Sequence, residues 1–424
     1  MNLRVALAAI SGVLLWSATG VFAQTPPVAP QTPAAQVTPG DDFVRTLVGR
    51  LDLEKYKATI KGLTQFGDRR QGTDRNRAAT DWIEAQLKAY GCSNTERIRY
   101  DYQPAQRAAG AAGEGRAAAG AEGRGGAPAA GQGRGAGGRG GTPVKGFRAP
   151  TGVNNDPMKQ TDPRLRELNS EPSTPGMREE VYCTKIGTTH PEEMYIVAGH
   201  MDGIGYAESA NDNGSGTAIV MELARVFSMP DVQTARSIRF ILWNNEETGL
   251  QGARAYVNQR RELQGKEDPP GSGRYPEPTW LGMIQHDMML YDHGMPREDG
   301  TLPPEQRPEA DVNVEFAATS KAAAESQALA WLLKAANDRY ATDYPVAIGN
   351  RMSNTDSAAF QDVVASVSLR EAERLSQVGA GWDPLWHQPI DMYANLSDKD
   401  FRLGLNAAQT TLAAVAQWAG AQKR

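Results

Sequence analysis

The residues best suited to chemistry follow three short apolar runs of the chain, each at the point where a run ends. The runs are 194–198, 238–243 and 280–285, and the residues that follow them are His200, Glu246, Glu247 and Asp287. Imidazole and carboxylate groups gathered from separate strand ends form a ligand set that suits Zn²⁺ in a catalytic site. No cysteine stands among these residues, which disfavours a structural zinc site.

His200 and Asp202 lie two residues apart in the segment that leaves the first run. A lone histidine is often only a satisfied core or surface residue, but here Asp202 can orient the ring by bonding its second nitrogen. Glu246 and Glu247 follow a run too apolar to lie at the surface, so a solvated turn is a weak interpretation. Adjacent carboxylates at a strand end can divide two roles, one binding metal and the other acting on water.

Two further candidates complete the set of chemically suited residues. Asp212 comes twelve residues after His200, just before a predicted helix, and His387 lies near the carboxyl terminus. The histidines at 190 and 293 stand in loop-like surroundings, and we expect no ligand role for them. The sequence alone therefore predicts a zinc site built from several strand ends and loops.

Strand and helix patterns alternate along the chain and predict the elements that position these residues. Residues 78–90 have helical spacing, 95–102 alternate like a strand, and one helix face follows Gly216. The continuous apolar runs are typical of strands buried on both faces. We expect an α/β fold with a single domain, in which a central mixed, mostly parallel β-sheet is covered by helices on both faces. Functional residues in such folds lie at strand ends that enter loops.

Composition divides the chain into segments. Residues 1–23 read as a secretory signal peptide, with Arg4, an apolar core and a small-x-small exit at Ala23. Residues 24–40 form a Pro/Ala-rich linker, and the domain spans 41–424. It is interrupted at 106–142 by an insertion of mostly glycine, alanine and arginine, which we expect to be disordered.

The charge and the signal segment limit the location and the partners of the protein. A formal net charge of -5 argues against a dedicated binder of nucleic acid or anionic membranes. The apolar run near the amino terminus is too short to span a bilayer, so we expect no stable membrane insertion after signal cleavage. The predicted location is periplasmic or extracellular. An oxidising compartment lets the two cysteines, Cys92 and Cys183, pair in a disulfide.

The motifs resemble those of the secreted dizinc aminopeptidases related to bacterial leucyl aminopeptidase and glutamate carboxypeptidase. The likeness runs from about residue 41 to the carboxyl terminus apart from the insertion, and it is strongest at 200–216 and 243–253. It implies a zinc-exopeptidase-like fold, two Zn²⁺ ions per chain and peptide substrates. It also implies the site roles: Asp212 bridges both ions, His200 and Asp287 complete one site, Glu247 and His387 complete the other, and Glu246 is the general base. A cis peptide between Asp212 and Asn213 is implied as well.

The chemistry of such a site follows from general principles. Two Zn²⁺ ions that share a carboxylate lie about 3.5 to 4 Å apart and acidify a water between them towards neutral pH. Glu246 would act there as the general base. Proton transfer by such a base raises the reaction rate about 10² to 10⁴-fold. Together with the signal segment, the family resemblance implies an exported aminopeptidase that hydrolyses N-terminal residues from peptides.

Some segments depart from the family pattern. The segment 355–360 lacks the histidine that the family carries in its Ser-Asp-His segment, which leaves the side-chain preference open. The spacing between Glu247 and Asp287 is long, and residues 268–278 read as an inserted loop. Asp292 is therefore a weaker competitor for the ligand role of Asp287.

Alternatives remain at this stage. A carboxypeptidase or dipeptidase of the same fold would need a cationic pocket, which Arg351 and Arg370 could supply. A glutaminyl cyclase-like acyltransferase would keep one zinc and lack the first histidine, so His200 counts against it. A noncatalytic binding protein is a third class, either as a metal-free relative or through Arg-Gly segments that bind single-stranded nucleic acid. The insertion lacks aromatic residues for base stacking, so we predict no nucleic-acid partner.

Overall fold

A mixed eight-stranded β-sheet is the centre of the computed structural model, which describes residues 42–92, 94–104, 152–291, 312–352, 354–371 and 383–424. Within these ranges the helices are α1 (Phe43–Val48), α2 (Leu53–Thr64), α3 (Asp74–Ala89), α4 (Pro163–Leu168), α5 (Gly214–Phe227), α6 (Gln251–Arg260), α7 (Ala323–Tyr340) and α8 (Asp398–Trp418). The strands there are β1 (Thr95–Tyr102), β2 (Gly176–Lys185), β3 (His190–His200), β4 (Val232–Gln233), β5 (Arg236–Trp243), β6 (Thr279–His286), β7 (Val312–Glu315), β8 (Val346–Gly349), β9 (Ser366–Arg370) and β10 (Gln422–Lys423). The predicted signal peptide, the linker and the insertion 106–142 lie outside the described residues.

The order of strands places the chemically informative segments side by side. Across the described part of the sheet the order is β1-β2-β5-β3-β6-β9-β7-β8. Strand β3 pairs in parallel with both β5 and β6, and β6 pairs in parallel with β9. The β1–β2, β2–β5 and β7–β9 pairs are antiparallel. The predicted mixed, mostly parallel sheet is thus confirmed.

Both faces of the sheet are covered, because successive side chains of the central strands enter different cores. On β3, Val197 packs in the core that contains α5 and α8, whereas Ile196 and Ala198 pack in the core that contains α6. On β5, Phe240 packs in the core that contains α5 and α8, and Ile241 packs in the core that contains α6. Strands buried on both faces read as continuous apolar runs, which is why the sequence identified them.

The predicted bounds of a helix or strand match the structure best where apolar periodicity marks the end of that element. Strand β1 spans the predicted residues 95–102, but α3 begins at Asp74 rather than at 78. The hydroxyl of Thr73 caps this helix by accepting the N–H of Asn76, and the first turn is polar. Apolar spacing therefore could not reveal the start of the helix. The predicted loop at 268–278 carries no helix or strand in the structure.

Cys92 and Cys183, which the sequence allows to pair, form a disulfide. The bond joins the segment after α3 to β2, which lies inside the sheet. Phe43–Arg424 form one compact unit. Among the helices in the described ranges, none combines the length and the apolar character that are needed to cross a membrane.

Candidate metal centre

The parallel pairing brings the ends of three strands to one edge of the sheet. His200 ends β3 and pairs with Trp243 of β5, while Gly199 pairs with His286 of β6. His200 therefore lies at the same edge of the sheet as the segments that carry Glu246, Glu247 and Asp287. Helix α5 begins directly after Asp212 and Asn213, and the side chain of Asn213 caps it by accepting the N–H of Gly216 at 2.8 Å.

Close packing fixes the start of α5 against the sheet. A Cβ atom at Gly216 would lie 2.3 Å from the main-chain oxygen of His286 on β6. Only glycine fits at this contact without moving backbone. The peptide bond between Asp212 and Asn213, immediately before the helix, is cis, as the family resemblance implied.

His200 is buried and faces two of the predicted carboxylate ligands. Its Nε2 atom lies 3.5 Å from Oδ1 of Asp212 and 3.4 Å from Oδ1 of Asp287. The other ring nitrogen, Nδ1, lies 3.0 Å from the main-chain oxygen of Asp202 and 3.8 Å from that residue's carboxylate. Asp202 therefore contacts the ring through its main chain, whereas the sequence analysis expected an interaction with its side chain.

The carboxylate of Asp202 bonds the loop after β5 instead. It accepts the main-chain N–H groups of Glu246 and Glu247 at 3.1 and 3.4 Å. The main-chain oxygen and the side chain of one residue thus contact two different strand ends. Because the residue is fully buried, solvent does not compete for these bonds.

His387 reaches the same group of carboxylates from the carboxyl-terminal part of the chain. Its Nε2 atom lies 2.9 Å from Oε2 of Glu247 and 3.1 Å from Oδ2 of Asp212. The two oxygens of Asp212 consequently face two different histidines, His200 and His387. The ring of His387 stacks on Trp386, with ring centroids 4.3 Å apart.

Asp287 has a second partner that the sequence analysis assigned to another role. Nη2 of Arg370, at the end of β9, lies 3.0 Å from Oδ2 of Asp287, and Nε lies 3.8 Å from Glu315. The sequence allows Arg370 in a pocket for a substrate carboxylate, whereas the structure places it against a predicted metal ligand. The competing residue Asp292 lies outside the described residues, as does His293.

Concentrated negative charge in a buried space dominates the electrostatics of the site. Burial and the neighbouring Glu247 carboxylate raise the pKa of Glu246 well above its usual range, and burial raises the pKa of Glu247 to about 7. Burial opposes a charged imidazole, yet nearby carboxylates raise the pKa of His200 and of His387 well above the usual value. Cations would relieve this repulsion.

The donor set fits divalent metal. In the described part of the chain, the ligand atoms of His200, Asp212 and Glu247 lie within 4.8 Å of one another, as do those of His200, Glu246 and Asp287. Oε1 of Glu247 is buried without a hydrogen-bond partner among the described residues. Buried carboxylates are normally paired or bound to metal. Nitrogen and oxygen ligands without sulfur suit Zn²⁺.

The other described histidines lie apart from this arrangement. His286 is buried between two elements, with Nδ1 3.1 Å from the oxygen of Ala198 and Nε2 2.8 Å from the hydroxyl of Thr411. Burial lowers the pKa of His286 to about 4, as expected for a neutral core histidine. His190 is partly exposed and contacts Glu192.

Several residues that hold the site were missed by the sequence analysis. The buried guanidinium of Arg69 donates to the main-chain oxygens of Met201, Glu208 and Ser209, which lie in the segment between His200 and Asp212. The buried carboxylate of Asp391 accepts main-chain N–H groups from that segment too. No local pattern marked either residue, because their partners lie more than a hundred residues away in the chain.

The chain is similar in sequence to known peptidases. The profile of Peptidase family M28 matches residues 181–411. The aminopeptidase YwaD of Bacillus subtilis is 32% identical over 131 residues, or 30% of this chain and 27% of that protein. Carboxypeptidase Q of Xenopus laevis is 34% identical over 77 residues, or 18% of this chain and 16% of that protein. These matches therefore span less than a third of either relative.

The fold has solved counterparts over most of its length. The crystal structure of BSAP, a zinc aminopeptidase from Bacillus subtilis, aligns with a TM-score of 0.53 and 14% identity. The alignment covers 87% of this chain and 95% of that one. At this level of identity the likeness concerns the fold.

Proposed function

The chain belongs to Peptidase family M28, and on that premise we propose that it is a co-catalytic dizinc aminopeptidase. The observation that carries the proposal is the placement of Asp212, whose two carboxylate oxygens face His200 and His387 at 3.5 and 3.1 Å. A carboxylate between two imidazoles is suited to bridge two ions. The substrates would be peptides with a free amino terminus.

The side chains divide into two ligand groups that share Asp212. His200 and Asp287 would complete one group, since Nε2 of His200 faces oxygens of both aspartates. Glu247 and His387 would complete the other, since Nε2 of His387 faces oxygens of Glu247 and Asp212. All five ligands are oxygen or nitrogen donors of the kind that catalytic zinc sites use.

Glu246 is the proposed general base. Its neighbour Glu247 is assigned to metal, and the Asp202 carboxylate fixes the main chain of both residues. Zinc ions held by these residues would supply Lewis-acid chemistry, making a water more acidic and polarising the scissile carbonyl. Glu246 would accept the proton of the attacking water and deliver it to the leaving amine.

Export is part of the proposal. The apolar segment before Ala23 is typical of a cleaved signal, and the disulfide between Cys92 and Cys183 suits an oxidising compartment. Amino-terminal sequencing of protein recovered from the periplasm or medium is expected to start at Gln24. A mature chain that retains residues 1–23 would contradict cleavage at this position.

A carboxypeptidase is the second candidate, and two observations favour it. One relative is named carboxypeptidase Q, and Nη1 of the buried Arg370 has no hydrogen-bond partner among the described residues. A free guanidinium N–H could bind a substrate carboxylate. Against this, Nη2 of Arg370 already contacts Asp287, and Arg351 is exposed on a different segment. The aminopeptidase relative matches a longer stretch of the chain.

Metal content and substrate preference test the proposal together. We expect two zinc ions per chain by mass spectrometry and hydrolysis of aminoacyl-p-nitroanilides but not of N-blocked peptides. His200→Asn should reduce bound zinc, whereas His190→Asn, which changes a partly exposed histidine, should not. Cleavage of blocked peptides by a protein with two zinc ions would favour the carboxypeptidase. Absence of bound metal would contradict the ligand assignment.

A further inference from the structure

The carboxylate of Asp391 binds the main chain of the residue proposed to bridge the two ions. Oδ1 accepts the N–H of Asn211 at 2.7 Å, and Oδ2 accepts the N–H of Asp212 at 2.9 Å. Asp391 is buried, so these bonds are shielded from water. Two bonds to consecutive peptide units fix the orientation of the backbone that carries the Asp212 side chain.

Asp391 also belongs to the segment that supplies His387. The two residues are four positions apart, and the N–H of Asp391 bonds the main-chain oxygen of Gln388 at 3.1 Å. The main-chain oxygen of Asp391 accepts the N–H of Glu208 at 3.2 Å. Both the main chain and the side chain of Asp391 thus bind the segment that leads to Asp212.

Asn211 extends this connection to a third segment. Its side-chain oxygen accepts the N–H of Leu290 at 3.0 Å, three residues after Asp287. Its side-chain amide donates to the buried carboxyl groups of Glu371 and Asp383. The segments that carry Asp212, Asp287 and His387 therefore meet around one buried asparagine, and Asp391 holds the main chain of that asparagine.

We propose that Asp391 is a positioning residue that sets the Asp212 carboxylate between His200 and His387. This inference rests on the proposed function, because it assigns Asp391 a task at the same site. Among the described residues, the side chain of Asp391 bonds main-chain N–H groups rather than the side-chain atoms proposed to bind metal. It acts through the backbone of Asp212 and couples that backbone to the segment of His387.

Two substitutions of Asp391 and one control test the role. Asp391→Asn keeps one acceptor and turns the other into an NH₂ group that faces an N–H donor, and Asp391→Ala removes both acceptors. Asp400→Asn is the control, because Asp400 is also buried and accepts the N–H of Ser397 at the start of α8. The measurements are Zn²⁺ titration calorimetry and visible spectra of the Co²⁺-substituted protein, with melting of the metal-free form to monitor folding.

We expect Asp391→Asn to weaken Zn²⁺ binding about 10 to 100-fold and to change the Co²⁺ spectrum, with a larger effect in Asp391→Ala. Asp400→Asn should lower the melting temperature while Zn²⁺ affinity and the Co²⁺ spectrum stay unchanged. If Asp391→Asn lowers only the melting temperature, its role is merely structural and the inference is wrong. If wild-type protein binds no metal, the proposed function itself fails, and the positioning role fails with it.

Discussion

The carboxylate of Asp202 accepts the main-chain N–H of Glu246 at 3.1 Å, which joins the segment after β3 to the segment after β5. The main-chain oxygen of Asp202 lies 3.0 Å from Nδ1 of His200. One residue therefore orients a predicted metal ligand with its backbone and holds the predicted base with its side chain. These two tasks can be separated by changing the side chain alone.

Asp202→Asn should impair turnover more than it impairs metal binding. The amide group would place an NH₂ donor opposite one of the N–H groups of Glu246 and Glu247, while the main-chain contact with His200 stays. We expect kcat to fall about 10 to 100-fold. Steady-state kinetics and zinc content measured on the same preparation check this. If the variant loses both ions while kcat per bound metal stays nearly unchanged, the side chain of Asp202 serves metal binding and the proposed division of tasks is wrong.

Glu246→Gln and Glu247→Gln form a matched pair, because the residues are adjacent and the change is the same. Glu246→Gln should retain both zinc ions and lose about 10² to 10⁴-fold in kcat, since only proton transfer is removed. Glu247→Gln should lose zinc, because Glu247 faces Nε2 of His387 at 2.9 Å within the proposed second group. Metal analysis and kcat/KM measure both. Near-normal kcat in Glu246→Gln would show that another group is the base.

Sequence patterns revealed the parts of the site that local features mark. Trp243 and the residues before it form an apolar run, and such runs predict both a buried strand and functional residues where the strand ends. The positioning residues left no comparable signal. Asp391 lies 180 residues from Asn211 in the chain, and Arg69 lies 132 residues from Met201. Both bind main-chain groups, which every residue type offers, so the sequence does not identify the partners.

Arg69→Met should strongly destabilise the metal-free protein. The buried guanidinium donates to main-chain oxygens at 2.7 to 3.0 Å, namely those of Gly67, Met201, Glu208 and Ser209. The oxygen of Ser209 keeps the N–H of Gly214 as a donor, so three oxygens lose the donor that Arg69 supplies. Buried acceptors left without donors cost about 1 to 3 kcal/mol each, so a loss of at least about 3 kcal/mol in unfolding free energy is expected. Urea denaturation measures it.

Arg99→Met is the control for Arg69→Met. Arg99 is largely exposed and pairs with Glu179, so its loss should cost less than about 1 kcal/mol. Arg69→Lys should recover part of the stability, because an ammonium group supplies three donors without the planar geometry of guanidinium. Equal destabilisation by Arg69→Met and Arg99→Met would refute the importance of the buried contacts.

The buried carboxyl groups of Glu371 and Asp383 predict that stability falls as pH rises. Burial raises the pKa of Asp383 to about 6, whereas an unfolded aspartate titrates near 3.9. The folded state therefore binds the proton more tightly, and this contribution is complete below about pH 4 and is lost as pH rises through about 6. Asp383 should lower the unfolding free energy of metal-free protein by roughly 1.4 kcal/mol per pH unit in that window.

Asp383→Asn should remove this part of the pH dependence. The amide cannot ionise, and its oxygen can still accept the N–H of Leu385. Its NH₂ group replaces the oxygen that accepts from the side-chain amide of Asn211, so some overall loss of stability is expected at every pH. The comparison is the slope of unfolding free energy against pH between about 4 and 6, measured by urea denaturation of metal-free wild type and variant. The variant should have the shallower slope, because its folded state no longer takes up the extra proton. Equal slopes would mean that Asp383 ionises at the same pH in the folded and unfolded chains.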